Sequence, residues 1–293
     1  MPQQVHIAVV TYNRLPSTIR CLETIRERTR AAYRLTVVDN ASRDDTRDYL
    51  LHLRRKGVID DLYLFDRNMG VACGYNFALS VSREPFFVRL DNDILIEDPA
   101  WADVLMQALT RCPQIGSVGF HIWPGTPEEC DPRGGDGVTF VQRSFTSGAC
   151  SMSRREVHEQ LGFWCEDYGI YGEEDSDFGL RLGLAGLVAG YIDKCNRYVR
   201  HEHTPYDTDD VDPLRSKSNR LASLETFFLN KFMYENGHRE LFMQRRYDTV
   251  VDGVHVSFQE NPAYARFMDE VAQLRHKLAP ALAYSLQEYL NEG

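Results

Sequence analysis

The stretch "FFVRLDNDILIEDPAW", residues 86–101, sets three polar residues, Asp91-Asn92-Asp93, inside an apolar run that resumes at Ile94. A run of this length and β-branched content reads as a buried strand. Two carboxylates at its end repel each other and are costly to desolvate. The same pattern recurs upstream. "VHIAVVTYN", "YRLTVVDNAS" and "LYLFDRNMG" are short apolar runs that each end in polar residues. Helical patterns separate them: Leu15, Ile19, Leu22 and Ile25 on one face, then residues 43–55, then 69–82. After the fourth strand, Trp101, Val104, Leu105, Ala108 and Leu109 follow helical spacing. Strands and helices that alternate at these lengths predict an α/β fold, a mostly parallel sheet flanked by helices. Ligands of such sheets bind beyond the carboxyl ends of the strands. The polar clusters Thr11-Tyr12-Asn13, Asp39-Asn40, Asn68 and Asp91-Asn92-Asp93 all fall on that rim.

The chain has 293 residues, 43% of them hydrophobic and 26% charged, with a net charge of −10. That suffices for one large α/β domain with an appendage. The acidic balance disfavours broad attraction to nucleic acid or anionic membrane. No apolar run approaches the ~20 residues of a membrane span, and the opening residues carry no secretory pattern. Seven widely spaced cysteines without a CxxC read as thiols in a reducing compartment, so a cytoplasmic location is expected. The stretch 121–147 predicts a long loop or small hairpin. Beyond His203 the reading is an acidic connection followed by helices at 213–236, 261–278 and 280–291.

Asp91 and Asp93, at i and i+2, would share one side of a strand and can point at one hard cation, Mg2+ or Mn2+. The plain alternative is a solvated turn with a helix cap. "YGEEDSDFGLRL" places Glu173, Glu174, Asp175 and Asp177 near a helix start, where acids are stabilised by the dipole; mutual repulsion can also prepare one as a general base. His201 and His203 in "YVRHEH" would lie on one strand face, and either can add a nitrogen ligand. Asp39 can cap the next helix or accept a hydrogen bond from a base or ribose. Trp164, in a loop beside the acids, can stack on an acceptor sugar. GxGxxG, GxxxxGK[ST] and GxSxG are all missing from the positions that dinucleotide, P-loop and hydrolase sites require.

"VVTYNR", "VVDNASRDDT", "RNMGVACGYNFAL", "VRLDNDI", "SGACSMSRREV", "GFWCEDYGIYGEEDSDFGLRLGLAG" and "VRH" occur in that order over about 200 residues. Together they resemble the glycosyltransferase family 2 type of GT-A enzyme. The resemblance implies a GT-A (Rossmann-like) catalytic domain at 1–205 and a helical C-terminal extension at 206–293. It implies an inverting transfer from a nucleoside diphosphate sugar, with UDP the expected carrier, to an acceptor hydroxyl. Thr11, Tyr12, Asn13 and Asp39 would hold the nucleoside, with Asn68 near the sugar-nucleotide and Asp91 near ribose or sugar. Asp93 would bind Mn2+ or Mg2+ most directly, joined by Asp91 and His201. Asp175 would be the general base, with Glu174 beside it. Residues 161–165 depart from the family's usual pattern, and Glu173 adds a competing acid. Residues 204–212 are a candidate lid, and the C-terminal helices a candidate homo-oligomer contact. The rival readings are a sugar-phosphate nucleotidyltransferase and a non-catalytic sugar-nucleotide or glycan binder.

Overall fold

A computed structural model describes residues 5–122, 140–192, 197–202 and 217–292. His203 and the candidate lid at 204–212 lie outside the described residues. The first half alternates as the sequence predicts: β1 (Val5–Thr11), α1 (Leu15–Arg28), β2 (Tyr33–Asp39), α2 (Thr46–Arg55), β3 (Asp61–Phe65), α3 (Val71–Val81) and β4 (Phe86–Asp91). Then follow β5 (Ile94–Ile96), α4 (Trp101–Arg111), β6 (Ile115–Phe120), β7 (Phe140–Arg143), β8 (Cys150–Arg154), α5 (Arg155–Leu161), α6 (Glu174–Leu184), β9 (Val188–Ile192) and β10 (Val199–His201). The chain ends in α7 (Lys217–Glu235), β11 (Tyr247–Asp252), β12 (His255–Glu260) and α8 (Pro262–Glu292).

Ten strands form one sheet in the order β11-β12-β3-β2-β1-β4-β8-β6-β9-β7, while β5 and β10 make a small antiparallel pair. From β12 to β4 every pairing is parallel. β8 is antiparallel to both β4 and β6. The strands are apolar on both faces because both faces are covered. Val5, Ile7 and Val9 of β1 join one core with Leu22 and Ile25 of α1 and Leu105 of α4. Ala8 joins a second core with Phe77 of α3 and Phe178 and Leu182 of α6. Register fixes the rim: Thr11 pairs with Asp39, and Val10 with Asp91, so three strand ends finish at one level.

The last quarter differs from its expected all-helical form. Strands β11 and β12 form a hairpin, and β12 continues the parallel sheet beside β3. "YDTVVDGVHVSF", residues 247–258, carries the signal: alternating β-formers around Asp252-Gly253, with Gly253 at φ 60°. The two expected terminal helices are one helix, α8, with Pro280 inside it. Among the described residues no helix is long and apolar enough to cross a membrane.

Candidate active site

The loops after β1 and β2 are tied to each other before they can hold anything else. Asn13 and Arg14 both adopt left-handed backbone, φ 56° and 60°. The Asn13 N–H donates to Ser42 Oγ at 2.7 Å, and the Arg43 N–H donates to Asn13 Oδ1 at 2.8 Å. Asn40 reaches across to the third loop, accepting from the Met69 N–H (2.8 Å) and donating to the Gly70 carbonyl (3.1 Å). Asn68 holds that loop's turn by accepting from the Gly70 N–H at 3.0 Å. Tyr12 stands half-buried on the rim.

Thr11 is buried and its hydroxyl is engaged with Thr18 at 2.9 Å and with the Asn92 amide at 3.1 Å. The Thr11 hydroxyl thus fastens the turn after β4 to α1. Asp39 is fully buried, and its Oδ2 accepts from Arg47 Nε (2.7 Å) and the Ser42 N–H (3.1 Å). Its Oδ1 is buried with no hydrogen-bond donor.

The two acids of the 91–93 stretch do not share a strand face, because β4 ends at Asp91 and Asn92-Asp93 form a turn. Asp91 Oδ1 accepts from the Tyr75 hydroxyl at 2.8 Å. Burial and the neighbouring Asp93 charge raise the pKa of Asp91. Asp93 turns toward the β5–β10 pair, where His201 lies opposite Ile94. Its Oδ2 accepts from Arg14 Nη1 at 3.2 Å, while Oδ1 faces His201 Nε2 at 3.5 Å and accepts no hydrogen bond. A buried carboxylate oxygen opposite an imidazole nitrogen suits a divalent cation such as Mn2+ or Mg2+. Among the described residues no three His, Cys, Asp or Glu side chains converge on one point. The site therefore fits the kind that takes few protein ligands and completes its shell with substrate oxygens.

The acid motif starts α6. Glu173 is its N-cap residue and accepts from Ser176 Oγ at 2.7 Å. Glu174 has a side chain only 5% exposed; burial, then the adjacent Asp175 charge, pushes it up to about 8. Asp175 is 20% exposed and is held by Arg89 and by the Gly148 N–H (2.7 Å). Burial raises its pKa against the pull of Arg89. The two neighbouring acids have unlike partners: Glu174, raised to about 8, favours its protonated form at neutral pH, while Asp175 is paired with the Arg89 guanidinium.

Arg89 is the residue that the sequence reading missed. It sits in the middle of β4, 2% exposed, with its guanidinium 4.5 Å from the Tyr75 ring centre and 4.8 Å from that of Trp164. A Cβ on Gly148 would run into the Arg89 guanidinium, so a larger residue there would have to push it aside. The signal was the charge itself, standing inside "FFVRL". Trp164 is corrected with it. At 4% exposure, packed among Phe87, His158 and Phe178, its ring supports Arg89 and offers no face to an acceptor.

The sequence model of Glycosyl transferase family 2 matches residues 6–162, more than half of the chain. The chain belongs to glycosyl transferase family 2. The matched span carries the β1–β4 rim and stops before the acid motif of α6. A curated relative, the O-antigen biosynthesis protein RfbC of Myxococcus xanthus, is 29% identical over 160 residues. That match covers 46% of this chain and only 12% of the relative. Two solved structures share the chain's GT-A fold. A mannosyltransferase of Pyrobaculum calidifontis, in complex with GDP-Man and Mn2+, superposes with a TM-score of 0.56 at 17% identity, covering 98% of this chain and 79% of its own. GalNAc-T7 with UDP, GalNAc and Mn2+ gives 0.60 at 12% identity, covering 80% and 49%.

Proposed function

We propose that this family 2 chain transfers a sugar from a nucleoside diphosphate sugar to an acceptor hydroxyl, with inversion at the anomeric carbon. One observation carries the reading: two buried carboxylate oxygens, Asp39 Oδ1 at the end of β2 and Asp93 Oδ1 in the turn after β4, stand without hydrogen-bond donors on either side of β1. Orphaned buried acceptors are costly, so each calls for a partner. Asp39 Oδ1 suits a base N–H. Its second oxygen is already taken by Arg47 and Ser42, which favours the single imide N–H of uracil over the paired donors of guanine. Because Asp39 is fully buried, base entry requires rim side chains to open. Asp93, with His201 and Asp91 nearby, would hold Mn2+ or Mg2+. Bound there, the ion supplies positive charge to the departing diphosphate.

Asp175, paired with Arg89 and partly exposed, takes the proton of the attacking acceptor hydroxyl. Gly148 and Arg89 fix one oxygen each, so the carboxylate cannot swing away from its task. Glu174, protonated at neutral pH, adds no second negative charge. A positioned general base is worth roughly 10²–10⁴-fold in rate. Neighbours bound to UDP or GDP-sugar and Mn2+ support the donor class.

A thermal-shift screen of nucleotide sugars with and without Mn2+ tests this. We expect stabilisation by a uridine donor that needs the metal, with little response to guanosine donors. Asp175→Asn should then keep donor binding and lose transfer. Wild-type transfer by that variant would overturn the base assignment, and a chain that no nucleotide sugar stabilises would overturn the donor reading.

A further inference from the structure

Beside the acid motif lies a cavity of about 270 Å3 between the loop before α6 and the first turns of α7. Asp167, Tyr168, Ile170 and Tyr171 line one wall, and Ser223 and Thr226 the other. The loop wall is anchored to both halves of the site. The Val71 N–H, at the third strand-end loop, donates to the Ile170 carbonyl at 3.0 Å. The Gly172 N–H donates to Glu174 Oε2 at 3.1 Å, and the Glu173 N–H to Ser223 Oγ at 3.0 Å. The cavity wall is thus fastened to Glu173 and Glu174, which precede Asp175 in the chain, and opens where Tyr171 is 50% exposed and Ile170 37%.

Its chemistry is specific. The described lining contains no Lys, Arg or His. Its one acid, Asp167, is neutralised by Arg239 Nη1 at 2.8 Å and accepts from the Tyr264 hydroxyl at 3.0 Å. What remains is an aromatic and aliphatic surface facing the hydroxyls of Ser223 and Thr226; Thr226 donates to the Ala222 carbonyl and faces a ligand as an acceptor, while Ser223, which accepts from the Glu173 N–H, keeps its proton to donate. A phosphate would find no cation there to pair with. A neutral polyhydroxylated ring can lay its C–H face on an aromatic side chain and hydrogen-bond to the hydroxyls.

We propose that this cavity is the acceptor subsite and takes an uncharged sugar residue, so that the acceptor is a glycan. The proposal rests on the assignment of Asp175 as base. It places specificity for the acceptor partly on α7, outside the span that the family model matches.

Saturation-transfer NMR with methyl β-D-glucopyranoside, methyl β-D-galactopyranoside and methyl α-D-mannopyranoside tests it without turnover. Wild-type protein should bind at least one of these. Thr226→Trp, which fills the cavity from α7, should raise that Kd at least tenfold, and Tyr171→Ala should weaken it, each with a melting temperature near wild type. Undiminished binding in both variants, no binding of any glycoside, or tighter binding of glucose 6-phosphate than of the neutral glycosides would overturn the proposal. Glycoside binding lost in Thr226→Trp, in a protein that turns over no nucleotide sugar, would uphold the subsite and sink the transferase reading alone.

Discussion

Arg89 keeps its charge in a strand interior because two rings cover it and two carboxylates, Asp175 and Glu174, lie within ion-pair range. Its removal leaves Asp175 buried against Gly148 alone. Breaking a buried pair by deleting one partner costs about 3–5 kcal/mol. Arg89→Met should therefore destabilise the fold by that order and move the acidic limb of the kcat/KM pH profile upward. Arg89→Lys should restore part of the lost pH range. An unmoved acidic limb in Arg89→Met would show that Arg89 does not set the charge state of Asp175. Glu174 makes a second prediction. Its folded pKa of about 8 lies above its ordinary value of 4.5, so between those values the unfolded chain has lost a proton that the folded chain keeps. Stability contributed by this group thus falls as pH rises through that window. Glu174→Gln should flatten the decline, as read from melting temperatures at pH 5 and pH 8. An equal decline in both proteins would refute it. These residues also show where reading the chain alone stops. Asp39 and Asp91 stand out in the chain because each ends an apolar run, and Asp175 because it falls in a cluster of acids. Trp164 misleads because a ring in a polar loop looks exposed, and only the tertiary structure brings it onto Arg89. The hydrogen bonds of the Thr11 hydroxyl are hidden for the related reason that its partners, Thr18 and Asn92, belong to other elements.

Helix α6 faces two ways. Asp175 looks to the site, while two residues on, Asp177 is wholly buried and accepts from Arg181 Nε (2.8 Å), Asn230 Nδ2 (3.1 Å) and the Tyr168 hydroxyl (3.1 Å), with the Tyr234 hydroxyl 3.2 Å from Oδ1. Arg181 also donates to the carbonyls of Leu161 and Phe163, both at 2.8 Å. The element that carries Asp175 is therefore locked to α7 by buried polar bonds. Arg181→Met should cost about 3–5 kcal/mol by stranding the Asp177 charge, seen as a lower urea midpoint with an unchanged slope. A midpoint equal to wild type would show that the hydroxyls and amide alone carry that charge. At this scale the strands and helices of the first half are legible from their periodicity. The β11–β12 hairpin is less so, because its alternation leaves few residues buried and it lies between helical patterns.

Across the whole molecule, buried contacts cross residue 205, where the expected catalytic domain ends. Asp167 depends on Arg239 and Tyr264, Asp177 on Asn230 and Tyr234, and β3 on β12. A fragment of residues 1–205 is expected to lack a cooperative urea transition and a native near-ultraviolet circular dichroism spectrum. A transition as sharp as that of the full chain would prove the first 205 residues autonomous. The pairing of β12 with β3 also has a consequence in time. Val256 meets Phe65, and Phe258 packs on the same ring at 4.5 Å, although some 190 positions of chain separate them. At the usual 5–20 residues per second, a ribosome needs roughly 10–40 s to deliver the hairpin after the strand it must cover. Throughout that interval the nascent sheet presents Leu64 and Phe65 on an open edge, so the yield of folded protein should depend on what shields that edge while synthesis is still under way.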